Sequence, residues 1–130
     1  MSILSKQEIG ALGERRAVRY LRLRGYRIKA RNWRAGHGEL DIIAETLRDI
    51  VFVEVKTRTY TPDTLESAPP PHLAVHAEKQ RVTRQTAEYY LRRFPTRKQP
   101  RMDVMEIRLV QKDGTTPPRV AKIHHIKAAY

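Results

Sequence analysis

The chain has 130 residues, which suits one domain with a single sheet and a few helices. It contains no cysteine, which excludes disulfide bridges and thiolate metal sites. Lysine and arginine number 26 against 14 acidic residues, so the formal charge is +12 and nucleic acid is the expected partner. No segment has the length and apolarity of a signal peptide or membrane span, so we expect a cytoplasmic protein without a membrane partner.

Residues 5–24 are predicted to form the first helix. Ser5 and Glu8 have the spacing of a capping box, and Gly25 supplies the stop. The predicted apolar face consists of Ile9, Leu12, Ala17, Tyr20, Leu21 and Leu23. Glu14 lies at the edge of this face, where a carboxylate needs a partner.

Three strands are predicted next, over residues 26–33, 39–45 and 50–58, with a turn at 35–38. In the second strand, alternation places Glu39, Asp41 and Ile43 on one face and the residues between them on the other. The third strand is apolar on both faces up to Glu54, which is typical of a central strand.

Residues 59–73 contain four prolines and are predicted to be a long loop within one domain that spans residues 1–130. A second helix is predicted over residues 74–94, ended by Pro95 and Pro100. Its expected core contacts are Val82, Ala87, Tyr90, Leu91 and Phe94. Strands over residues 101–110 and 120–126 complete the order α-β-β-β-α-β-β. The predicted fold is α/β: an antiparallel meander, a helical crossover to a parallel neighbour, and a mixed sheet flanked by helices.

Four charged residues on the second and third strands suggest chemistry. Glu54 and Lys56 are two apart in a strand and therefore share a face. If the hairpin turn is centred between Leu47 and Arg48, Asp41 lies opposite Glu54 and Glu39 lies opposite Lys56. Two facing carboxylates repel unless a cation or proton lies between them, so this geometry favours a Mg²⁺ or Mn²⁺ site. A cross-strand ladder of ion pairs is the alternative.

Five sequence blocks extend this pattern through nearly the whole chain. They are GALGE at residues 10–14, RNWR at 31–34, GELDII at 38–43, VFVEVKTR at 51–58 and RMDV at 101–104. Together they resemble the bacterial YraN-like family of predicted endonucleases, which belong to the PD-(D/E)XK, restriction-endonuclease-like superfamily. The fold of that family is similar to archaeal Holliday junction resolvases. Leu40 stands where the superfamily motif has proline, and Met102 stands where the family has phenylalanine.

The resemblance implies a role for each matching residue. Asp41, Glu54 and Glu14 would bind Mg²⁺ or Mn²⁺, and Lys56 would be the catalytic lysine beside Asp41 and Glu54. Glu39 and Lys79 would be auxiliary, with Lys79 facing a phosphate. The expected contacts to nucleic acid are Arg31, Arg34, Arg58, Lys79 and Arg101. Similarity to resolvases makes branched or damaged DNA the expected substrate, and a homodimer would fit that mode of action.

Other interpretations stay open. The same fold could serve as a nucleic-acid-binding module without catalysis, or the chain could associate with RNA rather than DNA. The arginines of the first helix could line a phosphate track or simply form a solvated face. His124 and His125 point to opposite faces of a strand and are not expected to share a metal. Trp33 is expected in the core, although stacking on a base is the alternative.

Overall fold

A five-stranded mixed sheet forms the centre of the protein, and one long helix packs on each face. The computed structural model describes residues 4–71 and 75–130. The helices are α1 (Lys6–Leu23), α2 (Pro62–Glu66) and α3 (Ala77–Arg93). The strands are β1 (Arg27–Ala35), β2 (Gly38–Glu45), β3 (Asp49–Tyr60), β4 (Gln99–Val110) and β5 (Arg119–Ile126). The predicted elements are therefore confirmed, with the addition of α2.

The strands follow chain order across the sheet, β1-β2-β3-β4-β5. β3 and β4 are parallel, and the other neighbouring pairs are antiparallel. This is the predicted meander followed by a crossover, and it is consistent with a restriction-endonuclease-like fold. None of the described helices is both long and apolar enough to cross a membrane.

Helix α1 begins and ends as its sequence predicts. The Ser5 hydroxyl accepts from the Glu8 amide, and the Glu8 carboxylate accepts from the Ser5 amide, which completes the capping box. Gly25 follows the helix with a positive φ of 87°, a conformation that glycine adopts without strain. Leu23, which was predicted to lie on the apolar face, is 74% exposed, whereas Val18 is buried.

The core has two apolar layers, one on each face of the sheet. The layer under α1 contains Ala17, Val18, Leu21, Tyr26, Ile42, Ala44, Val51, Val53, Met105, Ile107 and Leu109. The layer under α3 contains Leu40, Ile43, Ile50, Phe52, Ala87, Tyr90 and Met102. Trp33 packs against the second layer, with its ring edge-on to Tyr90 at 5.3 Å, which agrees with the predicted core role. Phe94 was expected in this layer but is 47% exposed beyond the end of α3.

The predicted loop over residues 59–73 needs correction at its start. β3 continues to Tyr60, and residues 62–66 form the short helix α2. Thr61 caps α2 through the Thr64 amide, and Pro62 occupies the first turn, where no backbone donor is needed. Residues 72 and 73 of the predicted loop and residue 74 of the predicted second helix lie outside the described residues. The segment is fixed to the sheet because the buried Arg108 donates to the Pro69 carbonyl at 2.6 Å.

Candidate functional site

The alternation of side chains between the two faces of the sheet is interrupted where Asn32 of β1 lies opposite Asp41 of β2. Arg31 pairs with Ile42 and Trp33 with Leu40, which leaves Asn32 and Asp41 opposite each other. Leu40 and Ile43 are three residues apart yet enter the same core layer, so the strict two-residue alternation predicted for β2 was wrong. Asn32 also has a positive φ of 50°, which asparagine tolerates better than most residues.

Asp41 fills the point where β2 and β3 separate. Pairing between these strands follows the predicted hairpin register from Glu45 back to Ile42, which pairs with Val53. It does not continue to Asp41, because Oδ2 of Asp41 accepts a hydrogen bond of 2.8 Å from the Val55 amide. The predicted cross-strand pairs of Asp41 with Glu54 and of Glu39 with Lys56 are therefore wrong.

Glu14 is brought to the same place by the close packing of α1. An added Cβ at the neighbouring Gly13 would overlap the Thr57 side chain, so only glycine allows this approach of α1 to β3. Oε1 of Glu14 accepts a hydrogen bond of 2.9 Å from Nδ2 of the Asn32 side chain and lies 3.4 Å from Nη2 of Arg31. These contacts supply the partner that a carboxylate at the apolar edge requires.

Glu54 lies on the α3 side of the same region. Its Oε1 is 3.5 Å from Nζ of Lys79 in the first turn of α3. Its Oε2 is buried and has no hydrogen-bond partner among the described residues. Lys56 is half-buried two residues further along β3 and forms no ion pair with any described residue. A buried carboxylate oxygen without a donor is costly, so Glu54 has capacity for a further positive partner.

Electrostatics connects these carboxylates to one another. The pKa of Asp41 is raised to about 6, chiefly by burial. The hydrogen bond from the Val55 amide opposes this rise, and the charges of Glu14, Glu54 and Glu39 add to it. Three acids from α1, β2 and β3 therefore act on the Asp41 carboxyl. The positively charged chain thus contains a local concentration of negative charge, which fits a cation or a proton.

A cleft of about 710 Å³ gives solvent access to this region. Its walls are the N-terminal half of α1 and the facing side of β2 and β3. The lining includes Glu14, Asn32, Glu39, Asp41 and Thr57. This volume is typical of a ligand-binding cleft, so a substrate group can reach Asp41 from the α1 side.

The acids of this region would supply few protein ligands to a divalent metal. As placed, no three Asp, Glu or His side chains within residues 4–71 and 75–130 are close enough to bind one ion together. Mg²⁺ needs only one or two carboxylates and completes its shell with water and substrate oxygens. Asp41 and Glu54 could supply two such carboxylates, because both line one small pocket between β2, β3 and α3, and Oε2 of Glu54 has no partner among the described residues. Glu14 lies with Asp41 on the α1 side.

A sequence model of the Uncharacterised protein family UPF0102 matches residues 13–107, which include Glu14, Asp41, Glu54 and Lys56. The chain belongs to the UPF0102 family. A UPF0102 protein of Porphyromonas gingivalis is 41% identical over 106 residues, which cover 82% of this chain and 74% of the relative. One of Bacteroides thetaiotaomicron is 39% identical over 123 residues, 95% and 92% of the two chains. One of Caldanaerobacter subterraneus subsp. tengcongensis is 35% identical over 131 residues, 100% of both. The predicted YraN-like membership is thereby confirmed.

The cationic residues predicted to contact nucleic acid occupy different surroundings in this UPF0102 protein. Arg34 is exposed and lies 3.6 Å from Glu39, next to the cleft. Arg58 is half-exposed and lies 3.8 Å from the buried Glu106. Arg31 and Lys79 lie beside the acids described above. Arg31, Arg34 and Lys79 thus lie beside the carboxylate region, whereas the ion-pair partner of Arg58 is Glu106 of β4.

Arg101 is placed elsewhere. Its guanidinium donates to Asp103 and to Asp49, and also to the Tyr26 hydroxyl at 2.8 Å. This network lies where β3 and β4 begin and holds Asp103 together with His125, whose Nε2 is 2.7 Å from Oδ2 of Asp103. Arg101 is therefore committed to internal contacts and is not brought to the carboxylate region.

Two residues of this UPF0102 site had no individual role in the sequence interpretation. Asn32 was noted only within the RNWR block, because the positive φ of a single residue does not change the pattern of apolar and polar residues in the sequence. Tyr130 follows the last strand. Burial raises the pKa of its hydroxyl, and a hydrogen bond with Thr83 opposes that rise. The charges of Glu54 and Asp41 also raise this pKa, which indicates that the hydroxyl lies near both acids. An asparagine inside a predicted strand is the one available hint for Asn32, because asparagine favours turns and the left-handed conformation over strands.

Proposed function

We propose that this UPF0102 protein is a metal-dependent nuclease that hydrolyses phosphodiester bonds in DNA. The observation that carries the proposal is the acidic cluster itself. Three carboxylates act on the partly buried Asp41, and a neighbouring carboxylate oxygen, of Glu54, has no described partner, in a chain of net charge +12. A basic surface attracts the phosphate backbone, and the acidic cluster provides a region that favours a divalent cation.

Asp41 and Glu54 would hold Mg²⁺ or Mn²⁺, with Glu14 as a further acid beside Asp41. When bound, the ion would neutralise charge on the scissile phosphate and lower the pKa of a water molecule. Lys56 shares the Glu54 face of β3, and its ammonium would donate to that water or to a phosphate oxygen. Lys79 offsets part of the Glu54 charge at 3.5 Å and is exposed enough to turn to a phosphate. Glu39 and Arg34 would border the entrance to the cleft.

We propose more specifically that the substrate is DNA with a branch or a lesion, and the support for this is the resemblance to resolvases.

The direct test of the nuclease is a cleavage assay with labelled linear, flapped and four-way-junction DNA and one structured RNA, each with Mg²⁺ or Mn²⁺. Wild type is compared with Asp41→Asn and Lys56→Ala. The matched controls are Asp63→Asn and Lys112→Ala, which make the same changes at exposed positions of α2 and of the loop after β4.

We expect wild type and both controls to cut DNA, and both site variants to lose at least a hundredfold in rate, since each removes a group that stabilises charge in the transition state. Tight DNA binding without cutting in either metal would reject the nuclease and leave a binding module. Preferential cutting of the RNA would reject DNA as the substrate. Equal cutting by the site variants and their controls would show that the activity does not come from this site.

A further inference from the structure

A basic groove runs along α1 on the side that faces β1. Arg15, Arg19 and Arg22 are spaced four and three residues apart, so their side chains follow one another along a single stripe of the helix. With Arg31 of β1 they border a groove of about 410 Å³. The buried Val18 forms part of its lining, and the exposed Leu23 lies at its far end.

The three arginines of the stripe have no counter-charge among the described residues. Within residues 4–71 and 75–130, none of Arg15, Arg19 and Arg22 forms an ion pair, although other exposed arginines do. Arg81, for example, binds Glu78 in the same helix, and Arg92 lies near Glu88. A line of unpaired like charges is unfavourable by itself and becomes favourable when a polyanion lies along it.

Arg31 joins this groove to the acidic cluster. Its Nη2 is 3.4 Å from Oε1 of Glu14, and Glu14 lines the neighbouring cleft that leads to Asp41. The sequence neighbours Glu14 and Arg15 mark the boundary between the two surfaces. From Arg15 to Arg22 the helix rises about 10 Å, which matches about three phosphates of one DNA strand.

We infer that the groove between α1 and β1 binds the phosphate backbone of the nucleic acid whose scissile bond enters the adjacent cleft. The arginines then act as phosphate contacts that set the position of the strand and read no sequence. The part of the inference that leads the scissile bond to Asp41 rests on the proposed function. Binding of the phosphate backbone to the groove can be measured without cleavage.

The experiment measures the affinity of the full chain for a labelled DNA duplex in EDTA, from 50 to 200 mM salt. One variant carries Arg15→Gln, Arg19→Gln and Arg22→Gln. Its control carries Arg93→Gln, Arg97→Gln and Lys127→Gln, which remove the same charge at exposed positions outside the groove. Urea unfolding of both variants establishes that they fold. Each lost phosphate contact should weaken binding about tenfold near 0.1 M salt and reduce the slope of log K against log salt by about 0.9.

We expect the groove variant to bind at least a hundredfold more weakly than wild type and to have a slope smaller by about 2 or more, with the control changed by less than 1. Equal losses in the two variants would overturn the groove, because only total charge would then matter. Loss of binding to anionic lipid vesicles with unchanged DNA binding would also overturn it. A binding loss in EDTA together with no cleavage by wild type would retain the groove and reject the nuclease.

Discussion

Asn32 and Asp41 interrupt the regular strand structure, and each of them makes a side-chain hydrogen bond there. Asp41 takes the Val55 amide that a regular ladder would have paired with a β2 carbonyl. The backbone of Asn32 is in the left-handed conformation, and its side-chain amide donates to Glu14. Departures of this kind cost free energy and are concentrated at functional sites. Their position directly opposite each other explains how acids from α1 and β2 come to act on one group.

Asp41→Asn is expected to stabilise the folded protein at neutral pH. The folded-state pKa of Asp41, about 6, lies above its ordinary value of 3.8. The folded state therefore holds this proton more tightly, and its contribution to stability is complete below pH 4 and lost as pH rises through 6. Asparagine keeps an acceptor for the Val55 amide and removes the charge. We expect a gain on the order of 2 kcal/mol at pH 7 in metal-free buffer, and little change at pH 4.

Urea unfolding at the two pH values measures this difference, and Asp63→Asn on α2 is the control without a buried carboxylate. A loss of stability in Asp41→Asn at pH 7 would contradict the expected destabilising charge. The measurement is independent of cleavage, because it needs neither nucleic acid nor metal. It therefore examines the electrostatics of the cluster even if no substrate is found.

At the scale of elements, two glycines decide how closely the helices approach the sheet. Gly13 of α1 lies against Thr57 of β3, and Gly38 of β2 lies against Thr86 of α3. In both places an added Cβ would overlap the threonine side chain. The first contact lies next to Glu14 and the second next to Glu39, so close packing on both faces fixes the backbone that carries the acids.

Gly13→Ala is expected to destabilise the protein, whereas Gly10→Ala is expected to stabilise it slightly. Both glycines lie within α1, but only Gly13 faces a neighbour, since nothing lies within 4 Å of an added Cβ at Gly10. Overpacking costs about 1–3 kcal/mol or more, and alanine gains up to about 1 kcal/mol over glycine in an exposed helix. Urea unfolding of the two variants measures the contrast. Equal effects would mean that α1 is not held by this contact.

Patterns of apolar and polar residues were sufficient to predict most of the elements. The capping box and Gly25 fixed the ends of α1, and the apolar run of residues 50–53 identified a central strand. The hairpin register was right for Ile42 to Glu45 because these residues follow the regular alternation and the short turn leaves little freedom. It failed at Asp41 because a side-chain bond to the Val55 amide leaves no trace in periodicity. The short helix α2 was missed although Thr61 and Pro62 are a capping signal.

At the scale of the whole molecule, two aspartates on different strands of the sheet are expected to have opposite effects on stability. The partly buried Asp41 of β2 has three acids acting on it. Asp103 of β4 lies at the level of Val53 and Ile42, two strands away from β2, in a network with Arg101, His125 and the Ala128 amide. Burial alone would raise the pKa of Asp103, but the hydrogen bonds from His125, Arg101 and Ala128 lower it below its ordinary value. The charged Asp41 carboxylate is therefore expected to lower stability, whereas the Asp103 carboxylate, which accepts hydrogen bonds from three groups, is expected to raise it.

Asp103→Asn is expected to cost about 3–5 kcal/mol at pH 7, because it leaves the guanidinium of Arg101 without its main partner. The folded-state pKa of Asp103 is lowered, so its stabilising contribution is present above about pH 4 and is lost as pH falls below that value. The cost of the substitution should therefore shrink in acid, opposite in direction to the pH dependence at Asp41. Asp49→Asn is the control, since Asp49 contacts the same guanidinium at 2.9 Å from a more exposed position. Urea unfolding between pH 3 and pH 7 measures both variants, and equal losses in the two would show that Asp103 is not the main partner of Arg101.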